Sequence, residues 1–323
     1  MSSAYVPPDK DSIKQDFNRN KPLYERLIEE TCYILKDAFK ENKLEISNIE
    51  FRLKDFDSFY GKIIRKEFTN GFFEKIEDIA GVRIICPYRS DLKTIEGIID
   101  RHFQVLEKKL VQDRADITFG YMSDHYTVML PKTCSGARYD SIKTLKGEIQ
   151  ARTISMHAWA TVSHHLDYKQ DVDIPSNLKK DFYGLSGIFY VADSLFEQFR
   201  IARSSALEPV VANAKKDEFD LKTEMNLDTM PAYLGWKLPD RKHAVDSQSI
   251  SHLLGDLARS KINNYFQLSK VIDDNISWLK EYEINSPPVE SRIVDGKPEF
   301  VKIRYMDVGV IRVILRHTLK TIP

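Results

Sequence analysis

The sequence predicts an α+β protein, with a mixed β-sheet flanked by helices in residues 1–206 and a smaller α+β domain in residues 207–323. Several short segments between residues 47 and 151 alternate apolar and polar residues, which is the two-residue period of strands. Segments with apolar residues every three or four positions, typical of amphipathic helices, lie before, between and after them. After Ser204 the pattern changes, and the stretch from Leu207 to Val211 is typical of a linker.

Composition excludes several classes of protein. The chain has 323 residues, and its 48 Lys and Arg residues balance 48 Asp and Glu residues, so affinity for polyanions must come from local clusters. Cys32, Cys86 and Cys134 form no CxxC pattern, which argues against a disulfide framework and a zinc site. No signal sequence and no apolar run of about 18 residues is present, so we expect a cytoplasmic protein that does not contact membranes.

The first elements form a basic surface. Residues 1–10 are expected to be a loose tail, and an amphipathic helix is expected from Pro22 onward. Residues 47–54, SNIEFRLK, predict a strand that places Arg52 and Lys54 on one face.

A helix is expected to begin near Asp57 or Ser58, either of which can cap it, with Ser58, Lys62 and Arg65 on one side. Residues 52–66 include five basic residues and two acidic ones, an excess of positive charge that suits the binding of a polyphosphate. The alternative is an ordinary solvated helix face.

Two carboxylates follow in different settings. Asp78 precedes the predicted strand from Val82 to Cys86, and Glu148 lies on the strand predicted from Leu145 to Ala151, on the same face as Gln150. Between them we expect a helix over residues 90–101, a strand over residues 103–110, and a loop and strand over residues 120–130.

Three further polar side chains belong with these carboxylates. Tyr121 and His125 lie where the loop meets its strand, within reach of a ligand, and His157 lies on a helix expected from about Ile154.

The rest of the chain carries packing signals. A second helix is expected from about residue 177, and its apolar stripe is interpreted as core: Phe182, Leu185, Phe189, Ala192, Phe196 and Phe199. Beyond it, two helices are expected over residues 249–259 and 263–281. Asp295 and Gly296 between strand-like arms indicate a hairpin, which Pro298 weakens.

Phosphoryl chemistry needs these parts: cations and Mg²⁺ for the phosphates, a carboxylate for the metal and a base for the incoming hydroxyl. Taken singly, Asp78 could be a cap, Glu148 a surface acid, Tyr121 a core aromatic and the histidines packing residues. The histidines lack a metal-ligand spacing such as HExxH.

In order, these residues resemble the synthetase domain of the RelA/SpoT family over about residues 22–200. The motifs that carry the resemblance are R-x-K-x-x-x-S-x-x-x-K-x-x-R from Arg52, DIAGVR from Asp78, GY-x-S-x-H from Gly120 and EIQ-x-RT-x-x-M-x-x-WA from Glu148. The resemblance implies a nucleotidyltransferase-like fold. It also implies transfer of pyrophosphate from ATP to the ribose 3′-hydroxyl of GDP or GTP, yielding ppGpp or pppGpp and AMP.

The resemblance also implies roles for individual residues. Arg52 and Arg83 would sandwich the adenine of ATP. The residues that would hold its phosphates are Lys54, Ser58, Lys62 and Arg65. Asp78 would bind Mg²⁺, and Glu148 would share the metal or act as general base. The residues implied on the acceptor side are Tyr121, which would stack on the base, with His125, Gln150 and His157 nearby.

Two departures from the family pattern leave the acceptor open. Met122 stands where an Arg usually follows the Tyr, and Ser163 replaces the Glu usual before His164. Pyrophosphate transfer to the 3′ CCA end of tRNA by a toxin, or synthesis of adenosine alarmones, is the alternative. A third hypothesis is an inactive nucleotide- or RNA-binding module, against which Asp78 and Glu148 argue.

The expected partners follow from the same resemblance. They are ATP and GTP or GDP, with tRNA as the alternative acceptor, an antitoxin or trigger protein, and further copies of the chain in a homo-oligomer. No His-Asp pair precedes Arg52, since the first histidine is His102, so we expect a chain that makes its product without degrading it.

Overall fold

The computed structural model describes residues 5–110, 123–165, 174–244, 246–294, 297–302 and 304–320. It divides into two compact units, Met1–Phe199 and Arg200–Pro323. The sequence predicts this boundary at residue 206, seven residues later. Among the described residues, no helix combines the length and the apolar character needed to cross a lipid bilayer.

The first unit contains a sheet surrounded by helices. Its helices are α1 (Lys10–Glu41), α2 (Phe56–Arg65), α3 (Phe72–Lys75), α4 (Arg89–His102) and α5 (Ile154–His165), and α6 (Lys179–Lys215) begins in it. Its strands are β1 (Asn48–Leu53), β2 (Ala80–Cys86), β3 (Gln104–Lys109), β4 (Asp124–Met129) and β5 (Gly147–Thr153). Every predicted strand before residue 151 is therefore present, within a few residues of its expected bounds.

The sheet is mixed and has two chemically different faces. In the described residues its strand order is β1-β2-β5-β4-β3, with β2 and β5 parallel and the other neighbours antiparallel. One face is apolar and buried, with Val82, Ile84, Ile149 and Ala151 in a core that includes residues of α1 and α4. The opposite face carries the polar residues, so the two-residue period separates core from site.

Two helices begin at other residues than expected. α1 begins at Lys10, because the Asp9 carboxylate caps it by accepting a hydrogen bond from the Ser12 amide at 2.8 Å. Pro22, expected near its start, lies inside the helix. α2 begins at Phe56 because Asp55, rather than Asp57 or Ser58, caps it.

The long helix α6 corrects two predictions. Residues 207–211, expected to be a linker, are helical. The apolar stripe expected to be core is largely exposed: Leu185, Phe196 and Phe199 have exposed fractions of 45%, 51% and 71%, whereas Phe182 is buried against Trp159. A three- and four-residue spacing shows which side chains share a face of a helix, but not whether another element covers that face.

The second unit has its own core, formed by helices α7 (Met230–Lys237), α8 (Ser247–Arg259), α9 (Tyr265–Asn285) and α10 (Asp307–Lys320). Strands β6 (Val289–Val294) and β7 (Lys297–Lys302) pair antiparallel, as the hairpin signal predicted, although Asp295 and Gly296 themselves lie outside the described residues. The α+β character expected for this part is confirmed, whereas α10 was not foreseen.

Thr153 ties the end of β5 to two helices. Its buried hydroxyl accepts a hydrogen bond from the Met156 amide at 3.0 Å, capping α5, and donates to Asp193 of α6 at 2.5 Å. We expect Thr153→Val, which keeps the shape, to lower the free energy of unfolding by about 1–3 kcal/mol in urea titrations. Thr161→Val, on the exposed side of α5, should stay within about 0.5 kcal/mol; equal losses would contradict the capping role.

Candidate active site

The polar face of the sheet forms the floor of an open cleft of about 460 Å³. Directly paired residues project to the same face, and the register pairs Arg83 with Glu50 on one side and with Gln150 on the other. Gly81 lies between Arg52 and Glu148, and its lack of a side chain leaves the floor between them open. The residues that line the cleft are Glu50, Phe51, Arg52, Lys54, Asp78, Gly81, Val82, Arg83, Glu148, Gln150, Arg152, Ala160, Thr161, His164 and His165.

Asp78 is held between two lysines. Lys54 Nζ lies 2.9 Å from Asp78 Oδ2, and Lys62 Nζ lies 2.9 Å from Asp78 Oδ1. Burial alone would raise the pKa of Asp78, but the hydrogen bonds and charges of the two lysines outweigh it and hold the pKa below its ordinary value. All three side chains are less than one third exposed. The site therefore presents an ionised carboxylate with one excess positive charge beside it.

Glu148 is held by two donors of its own. His125 Nδ1 lies 2.8 Å from Glu148 Oε1, and the Gln150 amide donates to Glu148 Oε2 at 2.7 Å. Burial would raise the pKa of Glu148, but these contacts, led by His125, lower it below its ordinary value. The carboxylate is thus fixed in orientation and ionised near neutral pH, the state that a general base needs.

A third cluster surrounds Arg83. Its Nη1 donates to Glu50 Oε2 at 2.9 Å, and its Nε donates to Gln150 Oε1 at 3.4 Å. The same Gln150 oxygen accepts from Arg152 Nη2 at 3.0 Å. Burial, together with the charge of Arg83, lowers the pKa of Arg152 to about 10. Arg152 Nε and His157 Nδ1 are buried without a hydrogen-bond partner in the described part of the chain. Arg152 therefore has a donor nitrogen that no described residue engages.

Most of the predicted site residues meet here. Arg52, Lys54, Asp78, Arg83, Glu148 and Gln150 line the cleft, and Lys62, His125 and His157 touch or closely approach its carboxylates. Ser58 and Arg65 lie on α2, outside the lining. Tyr121 falls outside the described residues, so its role stays a prediction.

Sequence reasoning assigned no role to Glu50 and Arg152. Glu50 shares the two-residue period with Arg52 and Lys54, a signal that could have placed it in the cleft. Arg152 continues the period of Glu148 and Gln150 in the same way.

The donor set suits a hard divalent cation. Asp78 and Glu148 supply carboxylate oxygens to one cleft, and Mg²⁺ is commonly held by one or two carboxylates together with substrate phosphates. Within the described residues, no group of three or more His, Cys, Asp or Glu side chains could hold a metal by itself.

Removing the His125 contact should change the pH dependence of any reaction in which Glu148 is the base. His125→Ala is expected to raise the pKa of Glu148, because the largest contribution that lowers it is lost. The deprotonated fraction at low pH then falls, so the acidic limb of the rate profile should move to higher pH. His125→Asn can still donate a hydrogen bond to Glu148, so its acidic limb should lie between those of the wild type and His125→Ala. Identical pH profiles for the wild type and both variants would contradict the influence of His125 on Glu148.

Comparisons with known proteins identify the family of this chain. The family model described as the region found in RelA / SpoT proteins matches residues 51–173. The GTP pyrophosphokinase YwaC of Bacillus subtilis is 32% identical over 153 residues, which cover 46% of this chain and 70% of YwaC. The chain belongs to the RelA/SpoT family.

A second relative has a similar degree of identity. The GTP pyrophosphokinase YjbM of Bacillus subtilis is 32% identical over 165 residues, covering 48% of this chain and 75% of YjbM. Among solved structures, small alarmone synthetase 2 from Bacillus subtilis is similar with a TM-score of 0.47 and 27% identity, covering 55% of this chain and 95% of that one. The matched RelA/SpoT region, residues 51–173, contains Asp78 and Glu148 of the cleft, whereas Glu50 lies one residue before it.

Proposed function

We propose that the chain transfers pyrophosphate from ATP to the ribose 3′-hydroxyl of GTP or GDP, producing pppGpp or ppGpp and AMP. The observation that carries this proposal is that Glu148 and the cluster of Asp78, Lys54 and Lys62 face one cleft. The names of its two relatives, both GTP pyrophosphokinases, support the same chemistry.

The donor nucleotide occupies the β1 and β2 side of the cleft. Lys54 and Lys62 place two ammonium groups beside Asp78, and these groups bind the phosphates of ATP. The guanidinium planes of Arg52 and Arg83 stack on adenine. Ser58 and Arg65, on the same side of α2 as Lys62, would add further contacts to the phosphates.

The chemical step forms one bond to phosphorus, breaks another and transfers one proton. The 3′-oxygen of the acceptor forms a bond to the β-phosphorus of ATP, and the bond from that phosphorus to the α,β-bridging oxygen breaks. AMP leaves with that oxygen, and the hydroxyl proton passes to Glu148. The excess positive charge of Lys54 and Lys62 stabilises the negative charge that accumulates on the transferred group.

Asp78 and Glu148 are the residues that would hold Mg²⁺. When bound, the ion supplies positive charge that draws the phosphate oxygens into position. Asp78 contacts Lys54 and Lys62, so phosphates that attract those lysines would leave its oxygens more available to the ion.

The acceptor nucleotide occupies the β4 and β5 side of the cleft, next to the general base Glu148. His125 and Gln150 both contact Glu148, so a nucleotide that touches them has its ribose close to the carboxylate. Tyr121, which lies outside the described residues, would stack on the acceptor base, and His157 would lie nearby.

Incubation of the purified chain with ATP labelled in the γ-phosphate and with GDP, GTP or deacylated tRNA tests the proposal. We expect label on GDP and GTP. Label on tRNA alone would assign the chain to the tRNA-modifying alternative, and label on none of the three would contradict pyrophosphate transfer. Glu107→Gln, an exposed acid of β3 in the same sheet, serves as a control that should retain activity.

A further inference from the structure

We infer that Glu50 reads the base of the donor nucleotide by accepting a hydrogen bond from the amino group of adenine. This specificity role rests on the proposed function, because it requires ATP in the donor half of the cleft. Glu50 lies outside the motifs that carry the family resemblance, which begin at Arg52.

The order of side chains along β1 determines which part of ATP would face Glu50. Glu50 and Arg52 in β1, and Lys54 one residue past its end, all line the cleft at intervals of two residues, roughly 6.6 Å each in an extended chain. With the phosphates at Lys54 and the base at Arg52, the next position along the strand lies beyond the base on the side away from the phosphates. In an adenine nucleotide that distal edge carries the 6-amino group.

Glu50 has an oxygen available for such a contact. Its Oε2 accepts from Arg83 at 2.9 Å, whereas its Oε1 lies 3.7 Å from His157 Nε2, which is beyond hydrogen-bonding distance. The side chain lines the cleft and is 37% exposed, so a ligand can reach it. In the described residues, Oε1 therefore keeps its lone pairs for a donor.

The contact with Arg83 supports the same arrangement. Glu50 binds the edge of the Arg83 guanidinium, which leaves the flat faces of that group open for stacking on a base. A carboxylate accepts hydrogen bonds and donates none, so it attracts the adenine amino group. Glu50 thus combines two effects, alignment of Arg83 and recognition of the amino group, which the test must separate.

Binding of two donor nucleotides in the absence of acceptor separates these effects. Purine riboside 5′-triphosphate lacks only the 6-amino group of ATP. The wild-type chain is expected to bind ATP about tenfold to a hundredfold more tightly than this analogue, the range of a hydrogen bond to a charged group. Glu50→Ala should weaken ATP binding until the two ligands bind equally. Glu50→Gln keeps a neutral acceptor, so its ratio of ATP affinity to analogue affinity should lie between those of the wild type and Glu50→Ala.

Alignment of Arg83 alone would change both affinities by the same factor. Equal binding of the two ligands by the wild type, or the same ratio in Glu50→Ala as in the wild type, would overturn the inference. Glu45→Ala, an exposed acid just before β1, should leave the ratio unchanged. The outcomes are distinguishable, since a flat ratio in a chain that still transfers pyrophosphate refutes only the role of Glu50. Loss of transfer with the ratio intact refutes only the proposed function.

Discussion

Replacement of Glu148 by glutamine is expected to slow pyrophosphate transfer by about 10²–10⁴-fold, the usual contribution of a general base. Glutamine keeps the shape and can still bond Gln150, but it cannot take the proton of the acceptor hydroxyl. Lys54 and Lys62, which would bind the phosphates, contact Asp78 and not Glu148, so ATP affinity measured without divalent cations should change little. Single-turnover rates and equilibrium binding of ATP, measured on the same protein, test both parts.

Glu107→Gln is the matched control for that experiment, because it makes the same chemical change on the same sheet. A Glu148→Gln variant with full activity would remove the residue from catalysis. A variant that lost ATP binding and transfer in equal measure would instead assign Glu148 to the donor site.

Asp78→Asn is expected to have two opposite effects. Transfer should fall by at least about 10²-fold, because the carboxylate proposed to hold the metal is lost. ATP binding without divalent cations should tighten by about tenfold, equivalent to about 1.4 kcal/mol, because Lys54 and Lys62 no longer have a carboxylate that competes with the phosphates. Titration of ATP in the presence of EDTA, next to activity with Mg²⁺, measures the two effects separately.

Asp57→Asn provides the control, since Asp57 is an exposed acid of α2 that contacts Lys10 instead of the cleft. Unfolding curves show whether each variant is folded at the assay temperature. Weaker ATP binding by folded Asp78→Asn in EDTA would contradict the view that the carboxylate occupies the phosphate-binding lysines.

The polar face of the sheet was predictable because strands have a fixed period of two. From Arg52 and Lys54 on one segment, and Glu148 and Gln150 on another, the sequence already indicates which side chains point the same way. The register that brings Arg83 between Glu50 and Gln150 was not predictable, because strand pairing is set by contacts between distant segments.

Helices were less predictable, because their ends and surroundings depend on single contacts. Asp55 caps α2, although Asp57 and Ser58 are equally suitable residue types two and three positions later. The α6 stripe has the spacing of a core helix, yet Phe199 is 71% exposed in the described structure. Spacing within one helix contains no information about the element that would have to cover it.

Identifying which bond of ATP breaks tests the proposed transfer of pyrophosphate most directly. The chain is incubated with GTP, Mg²⁺ and ATP labelled in the α-phosphate, and in parallel with ATP labelled in the γ-phosphate. Transfer of pyrophosphate predicts that the α label appears in AMP while an equal amount of γ label appears in the acceptor product. Release of the α label as ADP, with only a single phosphoryl group transferred, would contradict the role assigned to this cleft.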